Sequence, residues 1–168
     1  MYGASVAPYM LSLPATLPPR MTKRHFLIDD MHVGMQRTFT RTVTEADLEA
    51  TIRLTGDHGG YHTDPEFARA AGFRTVILPG LFQAGMATQI GGSMNFLARE
   101  ITFRYDKPVY VGDVLRCTFT VTAVQPERHR IDGEGEVANQ DGVVVMTFSC
   151  YGYLPRGHWG IPSKPPQE

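Results

Sequence analysis

From Pro79-Gly80 the chain runs through Leu81, Phe82, Ala84, Met86, Ala87 and Ile90 without a charged side chain until Arg99. A helix with no ionisable residue over that length is apolar nearly all round, so the rest of the fold has to cover it. Directly after it the period changes. Ile101, Phe103 and Tyr105 alternate with Thr102 and Arg104, and Cys117, Phe119, Val121 and Ala123 alternate with Thr118, Thr120 and Thr122. Alternation of this kind marks half-buried strands. Two more strands, about His129 to Ala138 and Val143 to Tyr153, meet through Asn139-Gln140-Asp141-Gly142, a tight-turn composition. A buried helix followed by sequential, tightly connected strands predicts an α+β domain with an antiparallel sheet wrapped around the helix.

The 168 residues suffice for one domain with a substantial core, and 42% hydrophobic with 20% charged residues is the composition of a soluble globular chain. A formal net charge of -1, with both signs interspersed, gives no reason to expect nucleic acid or an anionic membrane as partner. A small, locally recognised ligand fits better. Residues 1–30 read as an irregular N-terminal arm, 31–156 as the compact domain and 157–168 as an extended, proline-containing tail. Pro8, Pro14, Pro18 and Pro19 interrupt the apolar start, which argues against a signal peptide, and no run reaches the length of a membrane span. Cys117 and Cys150 sit in apolar surroundings without close cysteine partners, as buried thiols of a cytoplasmic protein do.

The chemistry is expected in Asp57-His58-Gly59-Gly60-Tyr61-His62. Thr44 and Asp47 mark the start of a helix that ends before Asp57, and Asp64-Pro65 opens another, with Asp64 as cap. Asp57 and His62 therefore belong to a loop held between two helices. A carboxylate and an imidazole so placed can hold a water molecule between them, one group taking a proton while the other positions it. His58 and His62 are four apart, the spacing of a helical metal pair, but the glycines between them and the lack of a third nearby ligand oppose a metal site. Gly133-Glu134-Gly135 precedes a strand, so a dinucleotide-binding turn is excluded on context. Arg99, Arg104, Lys107 and Arg156 are expected as solvated charges at the sheet edge.

The order of elements resembles the hotdog fold, and the local sequences resemble its MaoC-like, or R-specific enoyl-CoA hydratase, branch. That family's pattern is Asp-x-Asn-Pro-x-His followed by a further Asp. Asp57, His62 and Asp64 stand in those places here, while Gly59-Gly60 replaces Asn-Pro. Gly80, 23 residues after Asp57, occupies the place of the glycine amide that receives the thioester carbonyl in the family. Lys107-Pro108-Val109-Tyr110-Val111-Gly112-Asp113 is similar to the family's strand connection.

The resemblance implies reversible hydration of a 2-enoyl thioester, or dehydration of a 3-hydroxyacyl thioester, on CoA or a carrier protein. Asp57 and His62 would activate water, Gly80 would bind the carbonyl oxygen, and Tyr61, Pro79 and Leu81 would line the substrate. It implies no cofactor beyond the pantetheine of the substrate, and pairing into a homodimer or larger homo-oligomer. Two other functions stay open at this point. A hotdog thioesterase usually carries an acid on or near the buried helix, where this chain has none between Gly80 and Ala98. A non-catalytic acyl-thioester-binding subunit would be consistent with a looser Gly59-Gly60 spacer.

Overall fold

The computed structural model describes residues 26–155. The expected arm up to residue 25, the tail 157–168 and Arg156 lie outside the described residues. Ile28 is already buried in the core, so the packed unit takes in the last residues of the segment expected as arm. Strand β1 (Gln36–Thr42) leads into helix α1 (Glu45–Thr55), then come a one-turn helix α2 (Gly60–Thr63) and a short helix α3 (Pro65–Ala70). Helix α4 (Gly80–Met94) precedes four strands: β2 (Leu97–Tyr105), β3 (Val114–Gln125), β4 (Arg130–Ala138) and β5 (Val144–Tyr153).

The five strands form one sheet in the order β1-β3-β4-β5-β2, with every neighbouring pair antiparallel. Helix α4 touches both edge strands, β1 and β2, as well as β3. Five strands laid flat would span roughly 19 Å between the outer two, against about 10 Å for the diameter of a helix. Contact with both edges therefore requires the sheet to curl around α4. Register shifts in β2, beside Ala98, and in β3, between Val121 and Ala123, supply local bending.

The core is the inner face of this curl. Leu115, Cys117, Phe119 and Val121 of β3 face Ile131 and Val137 of β4, Met146 and Phe148 of β5, and Met86, Ile90 and Met94 of α4. A methyl group at Gly133 or Gly135 would fall at 2.1 Å from the Phe119 ring or 2.3 Å from the Phe148 ring, so the two glycines of β4 are what let those rings close over the strand.

One expectation needs correction. Helix α4 is charge-free but is not buried all round: Gln83, Ala84, Met86, Ala87, Ile90 and Met94 face inward, whereas Leu81, Gly85, Thr88, Gln89, Gly92 and Ser93 are exposed. Apart from Leu81 in its first turn, its outer side is small or polar without charge, and one curled sheet covers only the other side.

Candidate active site

Helix α1 delivers Asp57. Thr44 accepts the Asp47 amide at 3.2 Å while the Asp47 carboxylate accepts the Thr44 amide at 3.0 Å, a reciprocal cap that fixes the start. Gly56 ends the helix in the left-handed conformation at φ 70°, which turns the chain sharply into Asp57. Asp57 then folds back on its own turn: its Oδ1 accepts the Gly59 amide at 3.1 Å. This is the bland role open to any loop aspartate, and it occupies one oxygen only. The other, Oδ2, lies 3.4 Å from His62 Nε2.

His62 sits inside α2 and not in the open loop expected ahead of α3. Two adjacent glycines argue against a helix here, yet Gly59 is its N-cap and Gly60 its first residue. A single turn tolerates glycine because its position is fixed from outside. The Ile77 amide donates to the Tyr61 carbonyl at 3.0 Å, and His62 Nδ1 donates to the Ile77 carbonyl at 2.7 Å. A carbonyl only accepts, so in the neutral imidazole the hydrogen belongs on Nδ1 and the Nε2 lone pair is left to face Asp57. The His62 side chain is 13% exposed and that of Asp57 50%, so the pair joins a sheltered imidazole to a carboxylate that solvent and a ligand can reach.

Asp64 is a cap, as expected: its Oδ1 accepts the amides of Glu66 at 2.9 Å and Phe67 at 3.2 Å, starting α3 at Pro65. The rings of Tyr61 and Phe67 meet edge to face with centroids 5.0 Å apart, and Tyr61 meets Phe73 at 5.8 Å. Tyr61 thus packs within the loop while part of its ring stays exposed.

Ile77 connects this loop to α4. Three residues of extended chain reach at most about 11 Å, so Gly80 lies within that distance of the peptide that holds His62. The Leu78 amide donates to the Val109 carbonyl at 2.9 Å, and Asp113 organises the 107–113 connection by accepting the Tyr110 amide at 2.9 Å. Pro79 is buried at the N-cap and has no side chain with which to cap, so the first amides of α4, Gly80 and Leu81, remain available at the positive end of the helix. The Leu81 side chain is exposed.

Two residues at the site were not anticipated. A methyl group on Gly80 would lie 3.0 Å from Tyr105 Cε1, so the last residue of β2 covers this glycine. Burial pushes the Tyr105 hydroxyl up from its ordinary pKa. The alternation Ile101, Phe103, Tyr105 places Tyr105 on the helix-facing side and was the available signal. The second is Ile77, which acts through its backbone and leaves no signature in side-chain identity.

Cys117 is fully buried and its thiol is pushed up to about 12 by burial, which is wrong for a nucleophile. Among the described residues no three His, Cys, Asp or Glu side chains gather as a metal site requires. Arg104 is well exposed and pairs with Asp106 at 3.0 Å.

Comparison with known proteins gives the family and the fold. The family model described as MaoC like domain matches residues 30–143. A 3-hydroxybutyryl-CoA dehydratase of Methylorubrum extorquens is 26% identical over 113 residues, covering 64% of this chain and 71% of the relative. An (R)-specific enoyl-CoA hydratase of Aeromonas caviae is 25% identical over 131 residues, covering 74% of this chain and 96% of the relative. Among solved structures, an unliganded R-hydratase from Pseudomonas aeruginosa superposes with a TM-score of 0.73 at 21% identity, over 86% of this chain and 96% of that one. That likeness establishes the hotdog fold.

Proposed function

The chain belongs to the MaoC-like dehydratase family, and on that premise we propose that it is a lyase whose Asp57, His62 and Gly80 carry out the reversible hydration of a trans-2-enoyl thioester. The observation that carries the residue assignment is the divided imidazole: Nδ1 held by the Ile77 carbonyl at 2.7 Å, Nε2 facing Asp57 Oδ2 at 3.4 Å. A water molecule against this pair can give one hydrogen to Nε2 while the other is oriented by Oδ2.

The electron flow follows from that placement. As the water oxygen bonds to the β carbon, Nε2 takes its proton, and the electron pair of the double bond moves through the α carbon onto the thioester oxygen. The amide of Gly80, aided by that of Leu81, stabilises the developing enolate, a contribution of about 3 kcal/mol for one such donor. Collapse of the enolate then draws the proton from the imidazolium to the α carbon on the same face, completing a syn addition. Dehydration is the reverse. Only protons and one carbon-carbon π bond are involved, so the scheme uses no cofactor apart from the pantetheine of the substrate. The R configuration at the β carbon is proposed from the Aeromonas caviae relative.

Tyr61, Pro79 and Leu81 flank the catalytic groups and are proposed to line the acyl thioester. The exposed side of α4 and the open edge of β2 favour pairing of two copies, which light scattering would test. The two cysteines, both free thiols, favour a reducing, cytoplasmic setting, and among the described residues no helix is long and apolar enough to cross a membrane.

Incubation with crotonyl-CoA and longer enoyl-CoA esters should remove the enone absorbance, and Asp57→Asn and His62→Ala should abolish that loss. Release of free thiol instead would identify a thioesterase, a reading opposed by the lack of any acid on α4. Binding without turnover would identify an acyl-thioester-binding subunit.

A further inference from the structure

Gly59-Gly60 gives the link between the carboxylate and the imidazole little stiffness of its own. The structure supplies it from outside. A methyl group built on Gly60 would lie 2.8 Å from both Cδ1 and Cγ of Phe67 and 3.2 Å from Cε1, so the Phe67 ring rests directly on the bare α carbon of Gly60. The same ring meets Tyr61 edge to face at 5.0 Å. Phe67 is itself fixed, since its amide donates to Asp64 Oδ1 at 3.2 Å at the start of α3. Two consecutive residues of α2 are therefore held by one aromatic ring, and His62 follows immediately. From the opposite end Ile77 holds the Tyr61 carbonyl and the His62 imidazole.

We propose that Phe67 is a positioning residue for catalysis, its ring seated on Gly60 so that His62 Nε2 and Asp57 Oδ2 stay turned toward the same attacking water. This rests on the assignment of Asp57 and His62 as the reacting pair. Glycine is then required at position 60 for the space it leaves, and its freedom is removed by the ring that fills that space. Phe67 is 48% exposed, so the contact serves local geometry more than the core.

The test is a double-mutant cycle with Gly60→Ala and Phe67→Ala, read as kcat and KM on crotonyl-CoA, with melting temperature and Asp57→Asn measured alongside. Phe67→Ala should lower kcat by about tenfold to a hundredfold with KM within about twofold, since displacement of a reacting group by about 1 Å has an effect of that size. Gly60→Ala should be comparably harmful beside Phe67, because ring and methyl cannot share the space. In the Phe67→Ala background the same Gly60→Ala change should be neutral or raise kcat, the clash being gone and alanine being stiffer than glycine. Phe67→Tyr should retain activity.

Equal effects of Gly60→Ala in both backgrounds, or a kcat for Phe67→Ala within about twofold of the parent, would overturn the proposal. A rise in KM alone would do so too, by showing that the ring serves substrate binding. If Asp57→Asn retains full activity, the assignment of the catalytic pair fails instead, and the two failures are thereby distinguished.

Discussion

Replacing Asp57 by asparagine isolates the chemistry from the fold. The Gly59 amide must still be accepted by an oxygen, so the asparagine carbonyl takes the place of Oδ1 and its NH2 group takes that of Oδ2, 3.4 Å from His62 Nε2. A donor now points at the lone pair that should receive the water proton, and the negative charge that would steady the imidazolium is gone. General acid-base assistance typically contributes a hundredfold to ten-thousandfold, or about 3–5 kcal/mol of barrier, and both halves of it are affected here. The expected loss in kcat is on the order of a thousandfold. Stability should hardly change: the side chain is half-exposed and keeps its turn hydrogen bond, which limits the effect to about 0.5 kcal/mol and roughly 2 °C in Tm. Initial rates of enone loss with crotonyl-CoA, measured beside a thermal melt, separate the two quantities. A variant with kcat within tenfold of the parent and an unchanged Tm would refute the mechanism.

Gly80→Ala brings a methyl group to 3.0 Å from the Tyr105 ring and should lower kcat at least tenfold by displacing the helix N-terminus, with part of the rate recovered in Gly80→Ala/Tyr105→Ser. For Asp47, burial works against the carboxylate, but the hydrogen bonds from Thr44 and the contact with Arg41 outweigh it and hold the carboxyl below its usual 3.8. A depressed folded-state value means that the stabilisation is complete above the unfolded value and is lost as the pH falls through the folded one. The Tm advantage of the parent over Asp47→Asn should accordingly be constant above about pH 5 and shrink below about pH 4. Burial, with the nearby Asp132 carboxylate adding to it, pushes the Cys150 thiol up to about 11, and that of Cys117 reaches about 12. At about pH 8 roughly one thiol in a thousand would be ionised even at Cys150, so iodoacetamide should label both cysteines far more slowly in the native than in the urea-unfolded protein.

The elements of this domain were legible wherever local chemistry dictates them. Thr44 with Asp47, Asp64 with Pro65 and the alternation along β3 each decide the state of a few neighbouring residues, and each is found where the sequence predicts it. The charge-free segment after Gly80 likewise announced a helix to be packed under a sheet. How much of it is covered could not be read, because absence of charge does not distinguish the inward Met86 and Ile90 from the outward Gly85, Thr88 and Gly92.

At the site the division follows the same physics. The spacing of Asp57, His62 and Gly80 along the chain singles out the groups proposed to react, since the proposed chemistry requires those side chains and that bare amide. What aims them is contact across the sequence. The Ile77 peptide holds His62 from fifteen residues away, the Phe67 ring occupies the space left by Gly60, and Tyr105 closes over Gly80. A backbone carbonyl carries no mark of its residue type, and glycine in a sequence reads as freedom. Only the tertiary structure, by placing a ring where a side chain would have been, turns that freedom into a constraint.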